Sequence, residues 1–343
     1  MPDQIFCRRF RQISVSARKL LSEPNVTKLT PRALIVALAL IACSSFALAQ
    51  GKAQNQQAMK KSGSTPAAVK AAPSDPVLVG AGDIASCDDL AGAEATAKLI
   101  EKIPGTVFAA GDLAYPSGSD EEFAKCYGPT WGRFKDRTRP SPGNHEYHSH
   151  GASGYARYFG AAAGDPEKAY YSYDLGTWHI IALNSECDHV GGCGAESPEG
   201  SWLRQDLSQH RSACTLAYFH KPLYSSGASH GNDPTMKPIW QALYAANADI
   251  VINGHDHDYE RFSQQDPDGH ADAQHGIREF VVGTGGKNSH RTFGSIKPNS
   301  EIHQADTFGV LKLTLHASGY DWEFVSEAGK TFHDSGSGSC HSH

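Results

Sequence analysis

The chain has 343 residues with a 39% hydrophobic share, so it can bury a sizeable core as one large domain or two small ones. Its formal charge is −6, and without residues 1–49, which carry seven Lys/Arg and two Asp/Glu, it is −11. An acidic chain with no basic cluster is a poor partner for a nucleic-acid backbone, and it has no general attraction for phosphate esters, so any positive field must come from metals at a site.

At the N-terminus, residues 8–32 are basic and precede the apolar run Ala33–Ala42 and a small-residue site, Ala47-Leu48-Ala49. That order reads as a secretory signal over 1–49, which implies a secreted or periplasmic protein. The apolar run is too short to span a bilayer comfortably. A rival reading takes Leu40-Ile41-Ala42-Cys43 as a lipoprotein box, which would place a lipid anchor at Cys43. Arg8-Arg9 lies too far upstream to be more than a weak twin-arginine hint. Residues 50–75 are rich in Ala, Gln, Lys, Ser and Pro without apolar period, and read as a flexible spacer.

From 76 to 334 strands alternate with helices, as one catalytic domain. Apolar runs beginning at Val77 and Val107 read as buried strands, joined through a helix capped by Asp88 or Asp89 and running to Ile103. Further helices are predicted over Asp120–Tyr127, Ser201–His210 and Pro234–Ala246. Ala169–Tyr173 and Thr177–Leu183 read as a hairpin, and Gly309–Leu315 and Tyr320–Val325 as antiparallel strands. Residues 335–343 read as a solvated, disordered tail whose histidines are loose. Six cysteines follow residue 49, an even number that fits a disulfide framework in an exported chain. Cys187 and Cys193 are the best local pair; Cys340 is open to pinning by a disulfide, and Cys214 reads equally well as a buried thiol.

The chemistry-bearing residues stand where the apolar runs stop. Gly82-Asp83, Gly111-Asp112-x-x-Tyr115, Gly143-Asn144-His145-Glu146, His220 and Gly254-His255-x-His257 follow five separate segments. In open α/β sheets, sites form beyond the carboxyl ends of strands, so these segments converge on one rim. Hydrolysis of a phosphate ester calls for a nucleophile at ordinary pH and for cancellation of phosphoryl charge. Two metals about 3.5–4 Å apart supply both, held by a shared carboxylate, hard oxygen ligands and imidazoles. Taken singly, Asp83 and Asp112 would read as helix caps, Tyr115 as a core tyrosine and His220 as a satisfied strand-end histidine; the ordered set outweighs those readings.

That ordered set resembles the five motifs of the calcineurin-like metallophosphoesterases, and Tyr115 points to the purple acid phosphatase branch. The resemblance implies an α/β (α+β) fold, a four-layer α/β/β/α sandwich of two mixed sheets with all ligands at one end. It implies that Asp83, Asp112, Tyr115 and His257 hold a first metal, Fe(III). Asp112, Asn144, His220 and His255 would hold a second, divalent ion (zinc, manganese or ferrous iron). The activity implied is release of inorganic phosphate from small phosphate esters by a metal-activated hydroxide, with His145 and His230 as catalytic or substrate-contacting residues. Ser229-His230 departs from the His pair of the large plant members, which leaves the proton donor open between His145 and His230. A phosphodiesterase or nucleotidase would share every ligand, and an exported iron- or phosphate-binding protein with vestigial catalysis is the alternative from another class.

Other signals are weighed against this. Gly227-Ala228-Ser229-His230-Gly231 matches a nucleophile elbow, but Pro222 and Pro234 flank it where a strand and a helix are required. Gly283-Thr284-Gly285-Gly286 follows a strand, lacks the dinucleotide fingerprint and reads as a turn. His148, His150, His179 and His189 have no motif support and read as surface or loop residues.

Overall fold

A computed structural model describes residues 75–288 and 292–341. The expected signal segment over 1–49, the lipidation site at Cys43 and the spacer up to residue 74 lie outside the described residues.

Two sheets carry the fold. In the first, β1 (Val77–Ala81), β3 (Thr106–Ala110) and β5 (Thr138–Ser141) run parallel. Antiparallel strands β13 (Gly309–His316), β14 (Gly319–Ser326) and β15 (Asp334–Ser339) extend it in the order β15-β14-β13-β1-β3-β5. The second sheet has a parallel centre of β7 (Trp178–Ala182), β8 (Cys214–Tyr218), β9 (Ile250–Asn253) and β11 (Arg278–Val282). Antiparallel β6 (Tyr171–Leu175), β10 (Tyr259–Phe262) and β12 (Ser300–Gln304) complete it as β12-β10-β11-β9-β8-β7-β6. A two-residue parallel pair, β2 (Ala85–Ser86) with β4 (Ala114–Tyr115), sits just past the first two strands.

The sheets pack face to face, and the period of two explains how. In β8, Leu216 and Tyr218 join the interlayer core, where Tyr218 meets Phe108 of β3 at 5.9 Å between ring centroids. Ala217 and the following Phe219 point to the other side, onto Leu203, Ile239, Trp240 and Leu243. Those last residues belong to helices Pro198–Gln209 and Lys237–Ala245, which form an outer layer. Each buried Leu, Ile or Phe contributes about 1.5–3 kcal/mol, whereas an exposed ion pair such as Arg157–Asp120 is screened by water, so interlayer packing decides the fold. The mixed α/β sandwich expected from the motifs is therefore present.

Several local readings hold with shifted ends. The first helix spans Ala91–Ile100, with Asp89 accepting from the Ala91 N–H at 2.9 Å. The helix expected over Asp120–Tyr127 is one short turn, Asp120–Glu122, capped by Ser119, followed by a π-helical segment over Phe123–Tyr127. Among the described residues no helix is long and apolar enough to cross a membrane.

The tail expected to be disordered from 335 is instead β15. Its Ser/Gly alternation conceals a strand: Gly336 and Gly338 lie directly under the rings of Trp322 and Tyr320, where a Cβ would collide. Asp334 anchors its start, accepting from the Tyr259 hydroxyl at 2.6 Å, Arg261 Nε at 2.8 Å and Trp322 Nε1 at 3.2 Å. Cys340 closes its end in a disulfide with Cys214, so Cys214 is no free thiol. His341 is also held, its N–H donating to Asp249 at 2.7 Å. Cys187–Cys193 pairs as expected, and Cys87 pairs with Cys126.

Candidate metal centre

The five motif segments all leave the carboxyl ends of parallel strands: Asp83 after β1, Asp112 after β3, Asn144 after β5, His220 after β8, and His255 and His257 after β9. Backbone hydrogen bonds stitch these ends together. Gly82 N–H donates to Val282 at 2.9 Å, Asp83 N–H to Gly111 at 3.0 Å and Gly254 N–H to His220 at 3.0 Å. Asp83, Asp112 and His255 adopt left-handed backbone, with φ of 60°, 52° and 75°. Non-glycine residues rarely hold that conformation, and where they do it marks a loop fixed by its surroundings. The glycine before Asn144 has its own reason: a Cβ on Gly143 would overlap the Asp112 carboxylate.

The side chains interlock tightly. The Tyr115 hydroxyl lies 2.9 Å from Asp83 Oδ1, 3.1 Å from Asp112 Oδ2 and 3.3 Å from His257 Nε2. Asp112 Oδ2 is also 3.2 Å from His220 Nε2, which is 3.1 Å from His255 Nδ1. His220 Nδ1 lies 3.0 Å from the Ala110 carbonyl, which can only accept, so that nitrogen carries a proton and Nε2 is the atom turned inward. Asp83 and His220 are fully buried beneath a cavity of about 250 Å³. The other seven predicted site residues line it: Asp112, Tyr115, Asn144, His145, His230, His255 and His257.

Electrostatics point to a cation-binding donor set. Burial works to raise Asp112, but His220 and His145 outweigh it and hold the carboxyl far below its usual range. Burial would lower His220, yet Asp112 and Asp83 push it up to about 10. His255 is held well below its ordinary value by burial and by His220 and His230, so it offers a neutral imidazole. Burial and then the Asp112 and Asp83 charges push the Tyr115 phenol well up, so only an adjacent strong Lewis acid would ionise it. Asn144 Oδ1 is buried and meets no donor, an arrangement that costs free energy unless a cation takes the oxygen. Carboxylates, a phenol, an amide oxygen and imidazoles facing one cavity fit a pair of metal ions.

Four residues matter that motif reasoning left without a role or read differently. Glu146, buried, accepts from the N–H groups of Asp112, Leu113, Ala114 and Gly143 at 2.8–3.2 Å, tying the Asp112 loop to the Asn144 loop. Burial and the Asp112 charge push it up to about 8 even so. Asp256 accepts from Ser225 Oγ at 2.5 Å, Gly231 N–H at 2.9 Å and His230 N–H at 3.2 Å, and so fixes the loop bearing His230. Both stand inside the motifs, within two residues of an expected ligand, which was the available signal. Lys287 lines the cavity from the turn after β11, and nothing in the sequence marks it. His179, read as a surface or loop residue, is buried in β7; a histidine inside the apolar run Trp178–Ala182 should have been expected to face a partner.

The model of the calcineurin-like phosphoesterase family matches residues 78–259. The chain belongs to that family. It is similar to purple acid phosphatase 23 of Arabidopsis thaliana, 31% identical over 204 residues that cover 48% of this chain and 43% of the relative. It is also similar to purple acid phosphatase 18 of the same plant, 30% identical over 160 residues, covering 45% and 35%. The match thus spans less than half the length of these curated relatives. Among solved structures, purple acid phosphatase PPD1 of yellow lupin (Lupinus luteus) superposes with a TM-score of 0.62 at 20% identity, over 78% of this chain and 54% of that one. GAP50, the anchor in the inner membrane complex of Plasmodium, superposes with a TM-score of 0.57 at 15% identity, over 78% and 89%. These two likenesses show the fold.

Proposed function

We propose that this protein is a binuclear metal-dependent phosphomonoesterase of purple acid phosphatase type that releases inorganic phosphate from small phosphate esters. The observation that carries the reading is the shared position of Asp112, hydrogen-bonded to the Tyr115 hydroxyl on one side and to His220 on the other. Asp83, Asp112, Tyr115 and His257 would hold Fe(III), and Asp112, Asn144, His220 and His255 a divalent ion (zinc, manganese or ferrous iron). When bound, the pair supplies Lewis-acid charge for the phosphoryl oxygens and lowers the pKa of water to make a nucleophile.

The protein's own groups do the rest. The Ala110 carbonyl fixes the His220 tautomer, and Glu146 holds the Asp112 and Asn144 loops in register. His145 Nδ1 donates to the Pro116 carbonyl at 2.7 Å, which leaves Nε2 as the atom that can pass a proton to the departing alkoxide. His230 lies against His255 at 3.9 Å between ring centroids and meets the ester at the rim. The three disulfides fit an oxidising compartment, and with the leader expected over 1–49 they support a secreted or periplasmic location.

Metal analysis, a visible spectrum and turnover of p-nitrophenyl phosphate test the reading together. Two metals per chain, a phenolate-to-iron band lost in Tyr115→Phe, and monoester turnover faster than turnover of the bis-p-nitrophenyl diester are expected. Stoichiometric metal with no turnover of any ester would leave only a binding protein.

A further inference from the structure

The turn Gly283-Thr284-Gly285-Gly286 is more than a reversal of the chain. It leaves the carboxyl end of β11, and its backbone is bonded onto the metal-bearing end of β1: Gly285 N–H donates to the Gly82 carbonyl at 2.9 Å, and Lys287 N–H to the Asp83 carbonyl at 2.9 Å. The Lys287 main chain is therefore fixed beside a proposed ligand. Its ammonium stands 5.0 Å from the centroid of the Tyr115 ring and donates to Ser86 Oγ at 3.1 Å, while the side chain forms part of the cavity wall. Among the described residues lining the cavity, it is the only lysine or arginine. Lys221, which stands close enough to influence His255, is instead paired with Glu186 at 2.8 Å.

We propose that Lys287 is a specificity-determining residue that selects the dianionic phosphate of a monoester over the monoanionic phosphate of a diester. This inference rests on the phosphomonoesterase reading of the site. A monoester carries about −1.5 to −2 charge near neutral pH, because its second pKa is near 6. A fixed cation attracts a dianion more strongly than a monoanion at the same distance, so the additional charge distinguishes the two esters. In a chain whose formal charge beyond residue 49 is −11, Lys287 adds to the charge of the expected metals a cation supplied by the polypeptide itself. Ser86 holds the ammonium by a neutral hydroxyl rather than a carboxylate.

The test uses the metal-loaded protein and inorganic phosphate as the probe. Lys287→Met should weaken phosphate binding, measured by calorimetry per loaded site, by about tenfold or more, the loss of one charge-assisted hydrogen bond. It should lower kcat/KM on p-nitrophenyl phosphate by a similar factor, and on the bis-p-nitrophenyl diester by less than about threefold. Lys287→Arg should retain most of both. Ser86→Ala, which removes the tether and keeps the charge, should raise the monoester KM with kcat little changed. An active wild type whose Lys287→Met variant binds phosphate equally well, or loses both esters equally, overturns the inference and leaves the phosphomonoesterase reading standing. A wild type that neither binds phosphate nor turns over any ester overturns both.

Discussion

Two buried histidines, His220 and His179, each hydrogen-bond an aspartate within a group that could hold a cation, and only the first group has a member lining the cavity shared by the other motif residues. His179 Nδ1 meets Asp174 at 3.1 Å and its Nε2 meets Asp206 at 2.7 Å, so both nitrogens are spent on carboxylates. Asp206 is in turn filled by Ser172 Oγ at 2.8 Å and His210 Nδ1 at 3.2 Å, and the His210 ring stacks on His179 at 4.4 Å. His220 instead gives one nitrogen to a backbone carbonyl and turns the other into a group that includes Asp112 and His255, beneath a cavity. The first arrangement is closed and joins β6, β7 and a helix. The second leaves donor atoms converging without mutual satisfaction, as the donorless Asn144 Oδ1 shows. Whether a carboxylate–imidazole pair acts as a staple or as a site is decided by what the remaining nitrogen faces.

Substitutions on each side of this contrast should fail in different ways. Asp112→Asn should abolish metal retention and turnover together, read by elemental analysis and monoester hydrolysis; retention of both metals would break the contrast at its root. His145→Ala should lower kcat by about 10²–10⁴-fold with metal content intact, and parallel loss of metal would make it structural. Glu146→Gln should weaken metal affinity by about 10–100-fold, measured by competition with a chelator. His179→Leu should cost about 1.5–3 kcal/mol in denaturant unfolding and leave metal content and kcat unchanged.

The staple also has a pH signature. Burial disfavours protonation of His179, but Asp206 and Asp174 outweigh it, so the folded value lies above the ordinary 6.5. Its stabilisation is therefore complete below about 6.5 and is lost as the pH rises through the folded value. Burial tends to raise Asp206, yet His179 and Ser172 hold it below 3.8, so its share is present above that value and is lost as the pH falls through the folded one. The stability margin of wild type over His179→Leu should narrow above pH 6.5, and a margin that widened would overturn this assignment.

The metal rim was legible because each of its segments ends a strong apolar run, and the ligand types follow one another in an order that chance rarely produces. The tail was not, since Ser and Gly offer no apolar period and the strand exists only by lying on Trp322 and Tyr320. β10 and β12 escaped for a related reason: charged Glu260, Arg261 and Glu301 interrupt them, and their partners come from distant sequence. Lys287 could not be seen at all, because its place depends on two backbone bonds across roughly two hundred residues.

The left-handed backbone at Asp83, Asp112 and His255 has one more consequence. A non-glycine residue in that region costs about 1–3 kcal/mol, and here backbone hydrogen bonds at the sheet ends help to hold it. The loops that carry the expected ligands are thus tied to the strand ends by the chain's own hydrogen bonds, so substitutions that loosen those ends should disturb the site even where no ligand is touched.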